Sequence, residues 1–184
     1  MNIFFISYSP EQAAKWMVDK HVVKMILESA QLLSTAHRVL DGTKYVDTTG
    51  KRKKTVYLFD DLDVVSYHVK EALIYQATHI NHPSAVWTRE SDFNYTWLYD
   101  HFCALMDEYT YRYGKVHSCE RLREILESHP ENIPRTKEMT PIKCAMDEKY
   151  IISDDPIINY RNYYKFGKPH LFSWKKREMP KWLQ

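Results

Sequence analysis

The sequence predicts a mainly α fold: a compact helical domain over residues 1–184, with a short extended N-terminal segment and one small β-hairpin. Three observations carry this. Gly is scarce, at 4 of 184 residues, which argues against a fold dominated by strands and turns. Residues 19 to 40 contain neither Gly nor Pro, and Val22, Met25, Ile26, Leu32, Leu33, Ala36 and Leu40 recur there at helical spacing. Several further stretches begin with a capping residue, and some of these end at Gly.

Along the chain, residues 2–6 are apolar and β-prone, a short strand or extended lead-in. Ser9 can cap a helix that opens at Pro10, with Gln12 completing a capping box. Asp41-Gly42 ends the long helix that follows. Tyr45-Val46, Thr49-Gly50 and Thr55-Val56-Tyr57-Leu58 suggest a hairpin with a basic tip, Lys51-Arg52-Lys53-Lys54. From Asp60 to Thr78 a helix is favoured after Leu62. Pro83 opens a short helix, and Ser91 caps a long one running to about Tyr113, stopped by Gly114. Ser118 caps another. Pro130, Pro134 and Pro141 mark a loop over 129–142, and Asp155-Pro156 starts a final helix that ends near Gly167.

At 184 residues the chain fits one domain with a real core. A net charge of +2 excludes a polycation that coats nucleic acid by charge alone, although the basic residues cluster at 51–54 and 175–177. Cys103, Cys119 and Cys144 show neither CxxC spacing nor a disulfide framework, which fits a reducing cytosol. The expectations are a cytoplasmic protein with no membrane partner, no cofactor and no metal. Nine His residues show no HxH, HExxH or Cys/His pairing, and Asp60-Asp61-Leu62-Asp63 lacks the Gly and Glu of a calcium loop. A P-loop, a nucleophile elbow and a dinucleotide fingerprint are absent.

Three segments carry candidate chemistry. On the long helix, His21, Lys24, Glu28, Gln31 and Thr35 are spaced by three and four and fall on one line. A solvent face with a Lys24–Glu28 pair would look the same, but these types also suit a cleft, with Lys24 holding a phosphate and Glu28 acting as general acid or base. The second segment is Asn81-His82-Pro83-Ser84, with Trp87 as a face for a base and Arg89 as a fork for phosphate; Asn94 and Tyr95 follow. The third is Tyr160-Arg161-Asn162-Tyr163-Tyr164-Lys165, then Lys168, Trp174, Lys175 and Arg177, a mixture suited to stacking and phosphate neutralisation or to cations lying over an aromatic core.

The block Asp19-Lys20-His21-Val22-Val23-Lys24-Met25-Ile26-Leu27-Glu28-Ser29-Ala30-Gln31-Leu32-Leu33, together with Asn81-His82-Pro83-Ser84, Trp87, Arg89, Ser91 and Asn94-Tyr95, resembles uncharacterised proteins of tailed phages. It is more distantly similar to the pyrimidine dimer DNA glycosylases, through Asp19, Lys24, Glu28, Gln31 and Leu33 and then Asn81, His82, Pro83 and Trp87. That resemblance implies a helical scaffold for nucleotides or nucleic acid, with Glu28 as the catalytic carboxylate. It also implies a nucleophile that is the N-terminal α-amine, exposed by removal of Met1. Residue 2 is Asn, large for that removal, so Met1 is expected to stay.

Two functions follow as expectations. One is a phage-encoded binding protein, a homo-oligomer in the infected host cell, that sequesters a cyclic-dinucleotide defence signal. Its ligand residues would be His21, Lys24, Gln31, His82, Ser84, Trp87, Arg89, Asn94, Arg161 and Tyr164. The other is a DNA glycosylase acting on damaged or modified pyrimidines, with Glu28 catalytic and the two basic runs gripping the DNA backbone.

Overall fold

A computed structural model describes residues 1–60 and 65–184. It is mainly helical, with one two-stranded antiparallel sheet. The helices are α1 (Pro10–Trp16), α2 (Asp19–Asp41), α3 (Val65–Leu73), α4 (Pro83–Glu90), α5 (Asp92–Tyr113), α6 (Arg123–Glu127) and α7 (Pro156–Gly167); the strands are β1 (Thr43–Asp47) and β2 (Lys54–Leu58). The expected starts at Pro10, Pro83 and Pro156 are all observed, each with Pro in the first turn, where its missing N–H costs nothing. The first residues of the stretch expected to be helical after Leu62 lie outside the described residues.

Three local readings change, and the expected cap at Ser91 and stop at Gly114 are observed. Residues 2–6 pair with no strand among the described residues, and the lead-in is broken at Phe4, whose carbonyl accepts from the Ile6 N–H. Ser9 Oγ accepts from the Gln12 N–H as expected, but donates to Glu11 Oε2, so the reciprocal half of the capping box is not the Gln12 side chain. Ser118 opens a 3-10 turn that leads into the short α6, and the cap is His117, whose Nδ1 accepts from the Cys119 N–H. Ser91 Oγ accepts from the N–H groups of both Phe93 and Asn94 to start α5. The left-handed Gly114, at φ 65°, ends it.

α2 is the central element. It packs against α5 and α4, while α1 packs against α5. Its apolar face (Val22, Met25, Ile26, Leu32, Leu33 and Ala36) is fully buried together with Ile3, Phe5, Ile6, Trp87, Tyr95, Leu98 and Phe102. The N-terminal segment therefore runs through the core, which positions the first residues of the chain against α2.

Two buried arginines staple the fold. Arg38, at the end of α2, donates to the carbonyls of Tyr57 and Tyr75 and to Glu71 Oε2, so it fixes the hairpin base. Gly42 follows it where a Cβ would meet the Arg38 carbonyl at 2.6 Å, so only Gly allows this approach. Arg112, on α5, donates to Glu108, Asp19 and the carbonyls of Met17 and Lys15, at 2.7–3.0 Å. Arg112→Met should cost roughly 3–5 kcal/mol, because it leaves Glu108 and Asp19 without their central cation. Urea unfolding checks this, and a loss below about 1 kcal/mol would place the network among weak surface pairs.

No described helix is long and apolar enough to cross a membrane. Among the described residues, no group of three or more His, Cys, Asp or Glu could hold a metal ion.

Candidate active site

Glu28 sits at mid-length on α2, half-buried, with the start of the chain laid across it. The main-chain N–H of Asn2 donates to Glu28 Oε2 at 2.9 Å. On its other side Glu28 meets Lys24 Nζ at 3.1 Å. The i,i+4 ion pair read from the sequence thus exists, but on the wall of a cleft and not on a plain solvent face. The cleft encloses about 260 Å³ between Met1, Asn2, His21, Lys24, Glu28, Tyr163 and Lys168.

The N-terminal segment is locked there by its own side chain. Asn2 Oδ1 accepts from the N–H groups of Ile3 and Phe4, and its Nδ2 donates to the Ala145 carbonyl at 2.7 Å. Phe4 is held at φ 54°, a left-handed conformation costly for a residue with a Cβ. Packing compensates: the Phe4 ring stacks on His21 at 4.2 Å and lies against Tyr163 and Tyr164.

His21 forms the floor of the cleft. Its Nδ1 is hydrogen-bonded to the Tyr164 hydroxyl, and both rings are buried. Burial pushes its imidazole down to about 3, helped by Lys168 and Lys24. Burial also pushes the Tyr164 phenol up, so both groups are neutral near pH 7. His101, on the buried face of α5, is likewise held down at about 4 by burial, against a hydrogen bond to the Pro10 carbonyl. Both histidines are neutral when folded and take up protons once unfolded, so between about pH 4 and 6.5 the unfolded chain binds more protons and stability rises with pH. Chemical denaturation should show stability falling by up to about 1.4 kcal/mol per pH unit per histidine as pH drops below 6.5. A flat profile from pH 6.5 to 5 would contradict it.

His82 does not line the cleft. It caps α4, its Nδ1 accepting from the Ser84 N–H at 3.2 Å, which leaves the proton of the neutral ring on Nε2. Burial lowers its pKa, the amino-terminal charge and His79 lower it further, and Glu28 opposes them. The imidazole therefore feels both the start of the chain and Glu28. α4, which His82 caps, packs on α2.

The other residues selected from the sequence lie elsewhere or have other roles. Gln31 is half-buried one turn beyond Glu28, outside the cleft lining. Ser84 is fully buried, its Oγ without a hydrogen-bond partner. Trp87 is 1% exposed and donates from Nε1 to the Thr140 carbonyl, so it offers no open face to a base. Asn94 is spent on the Trp87 carbonyl and on Thr140. Arg89 folds back onto the Ala85 carbonyl of its own helix. Arg161 donates to the Ile6 carbonyl and lies between the Trp16 and Trp182 rings, an aromatic packing role. Asp19 accepts from Arg112, Ser173 and the Lys175 N–H, so its place in the first block is structural.

Tyr163 and Lys168 line the cleft although sequence reasoning selected Arg161 and Tyr164 from the same aromatic and basic cluster. Lys168 Nζ lies 4.8 Å from the centre of the Tyr163 ring, so the two form one cationic, aromatic wall facing Lys24 and Glu28. A larger hollow of about 460 Å³ lies among Phe5, Tyr8, Trp87, Thr140 and Pro156, but it holds no cation and no paired nucleophile and base.

The sequence model described as pyrimidine dimer DNA glycosylase matches residues 1–121, which include Asn2, Glu28 and His82. No curated protein and no solved structure matches the chain.

Proposed function

The chain belongs to the pyrimidine dimer DNA glycosylase family, and from that membership we propose that it removes a damaged pyrimidine from duplex DNA, with Glu28 as the catalytic carboxylate. The observation that carries this reading is the 2.9 Å hydrogen bond from the Asn2 nitrogen to Glu28. In the chain that keeps Met1 this nitrogen is a peptide N–H; we assign it as the nucleophile in the form that begins at Asn2, which requires removal of Met1 against the expectation set by the size of Asn2. An amine within hydrogen-bond reach of a carboxylate, beside a cationic wall, is the pairing that covalent catalysis needs.

The chemistry then follows. The amine attacks the anomeric carbon of the damaged nucleotide; the glycosidic bond breaks and its electron pair leaves with the base. Glu28 takes the surplus proton from the attacking nitrogen, then passes it to the ring oxygen as the sugar opens to a protonated imine. The carboxylate is again free to draw a proton from the neighbouring sugar carbon, which expels the 3′ phosphate and breaks the strand. In this reading Lys24 and Lys168, which line the cleft, hold the flanking phosphates, and His82, outside that lining, donates from Nε2 to the DNA beside it.

The cyclic-dinucleotide reading has less support. It asked Trp87 and Asn94 to meet a base and Arg161 to hold a phosphate, and all three are engaged within the fold. The test is a duplex carrying one cyclobutane pyrimidine dimer beside a matched undamaged duplex. Cleavage at the dimer alone is expected; two intact duplexes would overturn the reading.

A further inference from the structure

The two basic runs end up in different situations. In the second, Arg177 donates twice to Glu108, Lys176 donates to the Tyr111 carbonyl, and Lys175 lies over the Tyr113 ring. That run is absorbed into the fold. The first, Lys51-Arg52-Lys53-Lys54, is exposed at the turn of the hairpin and the first residue of β2, and none of its four cations forms an ion pair among the described residues.

The hairpin does not need this tip to stand. Its base is fixed by Arg38 on the Tyr57 carbonyl, by Thr43 and Tyr45 hydroxyls on Asp60, and by five antiparallel residue pairs from Thr43↔Leu58 to Asp47↔Lys54. Residues 43–58 hold five cations and one acid, Asp47, in a chain whose whole net charge is +2. The remainder of the protein is therefore slightly acidic, and the positive charge is gathered on one firmly mounted ribbon.

The ribbon follows the end of α2, the helix that carries Glu28, and Arg38 of α2 holds its base. Gln76 lines a hollow of about 410 Å³ on the hairpin face, beside Tyr45, Lys54 and Val56. Two residues on, Thr78 N–H donates to Thr35 Oγ1 of α2. His82, at the far end of the same segment, caps α4, which packs on α2. Residues 76–82 thus run from the hairpin face past α2 to the start of α4. Between Glu28 and Gly42 the helix rises about 20 Å, and the strands carry the tip up to about 17 Å further.

We propose that the hairpin tip is a second DNA-contact site, which binds backbone phosphates about six to ten base pairs from the nucleotide held at Glu28, given a rise of about 3.4 Å per base pair. This rests on the Glu28 cleft being where the damaged nucleotide sits. Its consequence is a length requirement: the protein needs duplex well beyond the lesion on one side.

The test compares the wild type with a variant in which Lys51, Arg52, Lys53 and Lys54 are all changed to Ser, by titrating binding against salt. Two duplexes carry a stable abasic-site analogue, one with fifteen base pairs on each side and one with four. Each lost phosphate contact removes about 0.9 from the slope of log affinity against log salt, so the variant, with four cations gone, should lose up to about three and a half units on the long duplex. On the short duplex the two proteins should have equal slopes. Equal slopes on the long duplex, or an equal loss on both, would overturn the proposal. A wild type that binds with the predicted slopes but never incises a dimer would sink the glycosylase reading and leave the hairpin assignment standing.

Discussion

Glu28→Gln is expected to lower turnover on dimer-containing DNA by about 10²- to 10⁴-fold, the range that removal of a general acid or base produces. The amide keeps the shape of the side chain and can still accept from the Asn2 nitrogen, so the N-terminal segment should stay in place. It cannot take the proton that leaves the attacking amine or return it to the sugar. The variant also gives up the Lys24 ion pair, but Lys24 is largely exposed and such pairs are worth about 0–1 kcal/mol. DNA binding and unfolding should therefore change little while cleavage is lost. A Glu28→Gln protein that cuts at the wild-type rate would remove the carboxylate from the mechanism.

The second large effect concerns the first residue. A protein released from a cleavable tag so that it begins at Asn2 should incise at least about 10²-fold faster than the same protein with Met1 retained. Retention makes the Asn2 nitrogen an amide, which is no nucleophile, and moves the free amine one residue away. Consecutive Cα atoms are about 3.8 Å apart, and a displacement of about 1 Å at a reacting centre can already cost about 10²-fold. The size of Asn2 works against removal of Met1, yet that side chain fastens Ile3, Phe4 and Ala145 around the site, which a smaller residue could not do. Incision assays on the two forms, with intact mass confirming each start, decide the point. Equal rates would contradict the assignment of the residue-2 nitrogen.

The elements were legible where local chemistry is strong. Pro at a first turn, Ser91 as a cap, Gly114 as a stop and the apolar period of 19–40 each act within a few residues, and each element lies where those signals place it. The site was legible along one helix only. Spacing placed His21, Lys24 and Glu28 on a line, and the structure puts all three on one cleft. What crosses that line comes from far away in sequence: Asn2 from the start of the chain, Tyr163 and Lys168 from α7 and just beyond it. Composition marked the 160–168 cluster without showing which of its members faces inward. Trp87, Asn94 and Arg161 misled for one reason. Aromatic, amide and guanidinium groups suit nucleic acid and suit a polar seam inside a protein equally well, and burial alone separates the two uses. Among the three, Trp87 and Asn94 meet at Thr140, a tertiary contact over more than 40 residues that no local pattern reveals.

The central claim is that an amine at residue 2, paired with Glu28, attacks the sugar. It is tested most directly by incubating protein that begins at Asn2 with a dimer-bearing duplex in the presence of sodium borohydride, which reduces an imine to a stable covalent link. The account predicts a protein–DNA adduct that maps to residue 2 and is lost in Glu28→Gln. Incision at the dimer with no trapped adduct, or an adduct carried by a lysine side chain, would contradict it.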